Sequence, residues 1–408
     1  MFKLPATVQK SILDTKSTYS DPVSMFIYDL PKLEAHIQYV MEHLPDNVEL
    51  YYAIKANSEK EILDTLAPWV HGFEISSGGE TQKIAQCEQA LPFVFSGPGK
   101  LDSELESALI QGVEAIHIES LNEIARLQNI AHKLNLTQAV FIRINPTLPP
   151  ELESKLTMAG RATPFGIDEA ELKMAIDAVD SSENLTLKGF HVHAMSHQKS
   201  VKKHKTLIDF YLSRWADWRD LASSPDSVTH LNVGGGIGVN YLEDKQFDWL
   251  DFCGYLDEAL SKFDEVPTLR FEPGRFISAF CGYYVMEVLD IKSSHGESFV
   301  ICRGGTHQFR LPAAQNHDHP VIHLPLELDK PHNLSPEKSW SVVGQLCTPK
   351  DIFSRSAILT NVSIGDMLIL PLAGAYGFNI SHVDFLCHPH PVISYLPKAS
   401  MYKERKFG

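Results

Sequence analysis

Eight short apolar runs recur along this chain, and the spacing between consecutive runs leaves room for a helix each time. They lie at Val48–Lys55, Val70–Ser76, Pro92–Gly97, Ala115–Ser120, Ala139–Asn145, Leu187–Ala194, Val228–Gly234 and Thr268–Pro273. Amphipathic stretches opening at Ser58, Ser120 and Asp168 fill three of the gaps, each behind a side chain suited to cap a helix. Short apolar runs are how parallel strands buried on both faces read, and their alternation with helices predicts a parallel sheet. Eight repeats predict closure, so the fold class is α/β with a TIM-like (β/α)8 barrel over residues 28–275.

From Phe276 the pattern changes. Tyr283–Ile291, Ser298–Arg303, Trp340–Cys347 and Met367–Leu372 read as strands with no helical period, and Met25–Tyr28 reads as an early strand. Together they predict a mainly β second domain assembled from residues 1–27 and 276–408. A chain of 408 residues suits two domains, each able to bury a core.

The formal net charge of −15 opposes nonspecific binding to nucleic acid, whose phosphates it repels. It leaves room for a small anionic substrate if arginine and histidine gather locally. No stretch reaches the length of a membrane span, and the first twenty-two residues hold Lys3, Lys10 and Lys16 without an apolar core, so a cytoplasmic protein is expected. The six cysteines contain no Cys-x-x-Cys, which suggests reduced thiols rather than a disulfide framework.

Chemically loaded residues gather just past the ends of the runs, the face on which such barrels build their sites. Lys55 ends the first run, where desolvation lowers a lysine towards a nucleophilic amine suited to Schiff-base chemistry. Gly234-Gly-Gly-Ile-Gly238 follows the seventh, where backbone N–H groups clear of side chains can cradle a phosphate. A dinucleotide fingerprint needs a glycine where Val239 stands, which speaks against nicotinamide. Glu272-Pro-Gly-Arg275 closes the eighth run. A carboxylate ~4 Å from a pyridine nitrogen favours its proton by ~4 kcal/mol at an effective dielectric of ~20. His191 and His193 are expected on opposite faces of the sixth strand, which weakens a two-histidine metal site, and no metal is expected.

These residues form an ordered set. Tyr51-Tyr-Ala-Ile-Lys55-Ala-Asn57, Ser77-Gly-Gly-Glu80, His193-Ala-Met-Ser196, Gly234-Gly-Gly236, Glu272-Pro-Gly-Arg275, Cys347-Thr-Pro-Lys-Asp351 and Gly374-Ala-Tyr-Gly377 occur in that order over nearly the whole chain. In order and spacing they resemble the fold-type III pyridoxal-phosphate decarboxylases that act on diaminopimelate, ornithine and arginine. The resemblance implies that Lys55 holds pyridoxal 5'-phosphate covalently and that His193 stacks on the ring. It implies that Ser196, Gly234, Gly235, Gly236, Gly274, Arg275 and Tyr376 hold the phosphate, and that Glu272 pairs with the ring nitrogen. It also implies a head-to-tail homodimer with shared sites, in which the partner chain supplies the cysteine matching Cys347 as the acid that protonates the α-carbon.

Departures from that pattern bear on substrate. Decarboxylases of basic amino acids carry an acidic residue directly after this cysteine, where it meets the distal ammonium; here it is Thr348, and a hydroxyl cannot offset a buried ammonium. Thr306-His-Gln-Phe-Arg310 replaces the usual Arg-Pro pattern and is followed by His317 and His319, a set suited to carboxylates. Glu74 stands where the family often has Asp, Met195 where it often has Gly, and Pro164 where it commonly has Lys. These changes resemble the branch found in siderophore biosynthesis, which decarboxylates an amino acid already joined to citrate. The leading expectation is therefore α-decarboxylation of a citryl–amino-acid conjugate, with Arg143, His307, Arg310, His317, Thr348, Asp351 and His382 as substrate candidates. Diaminopimelate or another free amino acid is the alternative, a silent regulatory homologue is a third reading, and Glu272 argues against alanine-racemase-like chemistry.

Overall fold

The computed structural model describes residues 2–152, 159–263, 265–326 and 338–397. The chain divides into two compact units, His36–Val239 with Gln246–Ile277, and Met1–Ala35 with Asn240–Lys245 and Ser278–Gly408.

The first unit is a closed parallel barrel. Its strands are Val48–Ala53, Gly72–Ile75, Phe93–Phe95, Ala115–Ile118, Gln138–Asn145, Leu185–His191, His230–Gly234 and Thr268–Phe271, paired in that order. The eighth strand returns to the first, with Leu269 opposite Val48, so the barrel has no open edge. All eight apolar runs became strands because their residues are covered on both faces. Phe73, Val94, Ile116, Ile142 and Leu269 are each at most 1 % exposed.

Helices follow the strands, and side chains just past the strand ends open two of them. Ser77 accepts from the Glu80 amide and Ser120 from that of Glu123. Ser58 does not act this way; the helix Lys60–Leu66 begins after Glu59 without a side-chain cap. At the opposite end of the barrel Arg270, 1 % exposed, lies within 2.7 Å of Glu49 and 2.6 Å of Glu114, with its guanidinium 4.0 Å from the Tyr51 ring centroid.

The second unit is mainly β. Its sheet runs Ile322–Leu324, Met367–Pro371, Gly282–Ser294, Glu297–Cys302, Lys338–Val343 and Ile352–Leu359. The strand Ser24–Asp29 pairs antiparallel with Gly282–Ser294 and parallel with Val392–Leu396, which draws the N-terminal segment into this unit. The strand expected at Trp340–Cys347 stops at Val343, so Cys347 lies on an exposed loop. Among the described residues no helix is long and apolar enough to cross a membrane.

Candidate active site

Lys55 sits one turn beyond the first strand, in the 3-10 turn Ile54–Ala56 rather than in the strand itself. Its Nζ lies 2.6 Å from Oε2 of Glu74, which is fully buried. Glu74 also accepts from the hydroxyls of Ser76, at 2.9 Å, and of Ser96. Burial alone raises its pKa, but the charge and hydrogen bond of Lys55, with the two hydroxyls, outweigh burial and leave it below the usual carboxylate value.

Glu272 is 5 % exposed at the end of the eighth strand. Asn232 Nδ2 donates to its Oε1 at 2.6 Å, and Asn232 Oδ1 accepts from the Gly234 amide at 2.9 Å. Burial, then the charge of Glu74, raises the Glu272 carboxyl to about 7. The Gly235 amide donates to His193 Nδ1 at 3.1 Å, which assigns the ring proton to Nε2. Burial, then the charges of Arg143 and Lys55, push His193 down to about 3, so its ring is neutral at physiological pH.

The expectation that His191 and His193 face opposite ways is wrong. Residues two apart share a face of a strand, and the strand ends at His191. Both rings lie in the Lys55 environment, their centroids 6.4 Å apart. The glycine triplet also works differently from the sequence reading. Gly234 and Gly235 spend their amides on Asn232 and His193, so Gly236 is the amide that these contacts leave for an anion. A Cβ on Gly234, Gly235 or Gly236 would collide with His193, the Glu272 carbonyl or the Met195 carbonyl respectively, and Gly234 and Gly236 have φ of +67° and +94°. Gly274 packs on Ala53 and Ala56, either side of the Lys55 turn, and Arg275 opens the short helical turn that follows.

Three substrate candidates come together in the second unit. Arg310, Thr348 and His382 line one cavity of about 860 Å³ with Lys350 and Arg355, and among the described residues no acidic side chain lines it. Arg355 is held by Asp318 at 3.1 Å. The other candidates are committed elsewhere. Arg143 is buried and bound to Glu119 at 2.8 Å, which also accepts from the Gly97 and Gly166 amides. Asp351, 2 % exposed, accepts from the Thr306 and Leu346 amides at 2.6 and 2.8 Å and braces the loops instead of facing a ligand. His307 is fully buried and pushed down to about 4, first by burial and then by His388 and His382, so it offers no cation. His317 contacts His319 at 3.0 Å and stacks on Tyr241.

A family model described as the pyridoxal binding domain of pyridoxal-dependent decarboxylases matches residues 30–279. The chain belongs to the pyridoxal-dependent decarboxylase family. A Staphylococcus aureus protein named 2-[(L-alanin-3-ylcarbamoyl)methyl]-2-hydroxybutanedioate decarboxylase is 42% identical over 395 residues, covering 95% of this chain and 98% of that one. An L-glutamyl-[BtrI acyl-carrier protein] decarboxylase of Niallia circulans is 30% identical, covering 90% and 87%. Among solved structures, a diaminopimelate decarboxylase from Helicobacter pylori superposes with a TM-score of 0.83 at 25% identity, covering 95% of this chain and 94% of that one.

The residues at the barrel mouth fit the cofactor of this decarboxylase. They offer a primary amine, a buried carboxylate for a ring nitrogen, a neutral imidazole and a glycine turn that admits no side chain. Tyr376, assigned to the phosphate by resemblance, holds a left-handed φ of +51°, a strain that non-glycine residues adopt where the surroundings impose it. Sequence reasoning missed Asn232, which orients Glu272, and His117, which faces the barrel interior from the fourth strand. His117 was detectable, since inward positions of that run alternate and it falls between Ile116 and Ile118.

Proposed function

We propose that this decarboxylase removes the α-carboxylate of an amino acid whose side-chain nitrogen is joined by an amide to citrate. The observation that carries the substrate class is the cavity of about 860 Å³ that holds Arg310 and Lys350, has no acidic lining among the described residues and includes Thr348 where an ammonium-binding acid stands in decarboxylases of basic amino acids. In a chain of net charge −15 such a lining is a local exception, and charge-assisted bonds from Arg310 suit a polycarboxylate arm. The name of the 42 % identical relative describes a citrate-type acid amidated by the 3-position of alanine, with the α-amino-acid end left free.

Bound pyridoxal phosphate supplies the electron sink for the pair left when CO2 departs. Lys55 would anchor the cofactor through its side-chain amine. Asn232 orients the Glu272 carboxylate, which would hold the proton at the ring nitrogen, while His193, neutral and fixed by the Gly235 amide, would cover the ring. The turn from Gly236, with Ser196, Gly274 and Arg275, would take the phosphate. Two chains associate head to tail, and the partner's Cys347 delivers the proton to the α-carbon.

The test is CO2 release from a panel of free amino acids and citryl–amino-acid conjugates, beside a Lys55→Ala control. Lys55-dependent release confined to a conjugate supports the reading and names the amino acid. Faster release from free diaminopimelate or ornithine overturns it.

A further inference from the structure

His117, on the fourth strand, and His191, at the end of the sixth, face each other inside the barrel with ring centroids 4.4 Å apart. Glu272 meets both. His117 Nδ1 is 3.8 Å from its Oε1 and His191 Nε2 is 3.6 Å from its Oε2. One ligand atom from each of the three lies within 4.8 Å of the others. The residues are 0 %, 2 % and 5 % exposed, and none of the four imidazole nitrogens has a hydrogen-bond partner among the described residues.

Leaving a buried polar group unpaired costs about 1–3 kcal/mol, so four such atoms around one carboxylate call for a cause. Hydrogen bonding does not supply it, because 3.6–3.8 Å lies outside the range of a hydrogen bond. Two ligands on a tetrahedral ion with arms of about 2.0–2.2 Å stand about 3.3–3.6 Å apart. The two histidine–carboxylate contacts, to different oxygens of Glu272, come near that, and the three donor atoms, within 4.8 Å of one another, close the remaining gap around an ion. Metal binding needs neutral imidazoles, and burial, followed by the positive charges around them, keeps both histidines well below their usual pKa.

We infer that His117, His191 and Glu272 form a site for one zinc-type divalent ion within the barrel, two imidazoles and a carboxylate being a donor set that zinc accepts with a fourth position open. Glu272 is also the carboxylate assigned above to the cofactor's ring nitrogen. The ion and the cofactor therefore share a ligand and exclude one another, a consequence that rests on that assignment. Zinc-type ions occupy the cofactor-free chain, and pyridoxal phosphate displaces them.

The probe is Co²⁺, whose visible absorption reports tetrahedral coordination. Titrated into the full chain stripped of cofactor and metals, it is expected to fill one site that disappears in His117→Gln and His191→Gln. The chain has 19 histidines, so the increment lost in these variants is the reading. Far-UV circular dichroism and the thermal midpoint check that the variants fold. Anomalous density in zinc-soaked crystals of the unmutated chain reads the site without any variant. Adding pyridoxal phosphate to the Co²⁺-loaded chain is expected to remove the band mole for mole as cofactor binds. Absence of a His117-dependent ion from both titration and density overturns the site. An ion retained beside bound cofactor leaves the site standing, but removes the exclusion and, with it, the assignment of Glu272 to the ring nitrogen.

Discussion

Lys55 Nζ and Glu74 Oε2 are 2.6 Å apart, so the amine at the barrel mouth arrives already paired with a carboxylate that the Ser76 and Ser96 hydroxyls hold in place. Any carbonyl compound that Lys55 captures has to draw it away from that pairing. Lys55→Ala is expected to abolish CO2 release and also the cofactor-sized mass increment that borohydride reduction fixes on the intact protein. An increment that survives in the variant would place the reactive amine elsewhere.

Gly236 has a φ of +94° and its absent Cβ leaves room for the Met195 carbonyl. Gly236→Ala is expected to weaken pyridoxal phosphate about 10- to 100-fold, the equivalent of ~1–3 kcal/mol of backbone strain. Equilibrium dialysis reads this directly, and an affinity within twofold of wild type refutes the cradle.

Glu272 titrates at about 7 in the cofactor-free chain, against 4.5 when unfolded. Between these values the folded chain keeps a proton that the unfolded chain has released. Its contribution to stability is therefore full below pH 4.5 and is lost as pH rises through about 7, a decline on the order of 3 kcal/mol. Glu272→Gln has no such titration. In metal- and cofactor-free buffer, the thermal midpoint of wild type should fall relative to that of the variant from pH 5 to 8; parallel curves mean that the carboxyl is not raised.

Arg310 lines the acid-free cavity with an exposed guanidinium. Loss of a charge-assisted bond worth ~1.5–3 kcal/mol corresponds to a rise of about 10- to 100-fold in KM. Arg310→Gln should show that rise for the conjugate with kcat within a few-fold. Thr348→Asp should also slow conjugate turnover, and a gain in either variant would contradict a polycarboxylate arm.

If each site takes Lys55 from one chain and the partner's Cys347 from the other, inactive Lys55→Ala and Cys347→Ala proteins should restore activity when mixed and allowed to exchange. Random pairing makes about half the dimers hybrids with one intact site each, hence about a quarter of wild-type activity. Steady inactivity after proven exchange argues that both residues come from one chain.

The barrel was legible because burial on both faces forces continuous apolar runs, and Lys55, His193 and Glu272 stood out as polar residues at their ends. The β unit was less so. Ile352–Leu359 carries Ser354, Arg355 and Ser356 within it, Ile322–Leu324 is three residues long, and the helix Ala6–Thr18 has only Val8 and Ile12 buried. Substrate candidates chosen by residue type divided according to what surrounds them. Arg310 and His382 kept their surfaces, whereas Arg143, Asp351 and His307 were absorbed by Glu119, by backbone amides and by burial. Sequence holds no sign of such partners, since they come from segments far apart in the chain.

Asp351 ties the Thr306 amide, four residues before Arg310, to the Leu346 amide, two before Thr348. The two stretches that line the acid-free cavity thus form one mechanical module with a single carboxylate as its rivet. Anyone transplanting specificity between related enzymes would have to move both stretches and the rivet together, because either half alone would arrive without the anchor that sets its spacing.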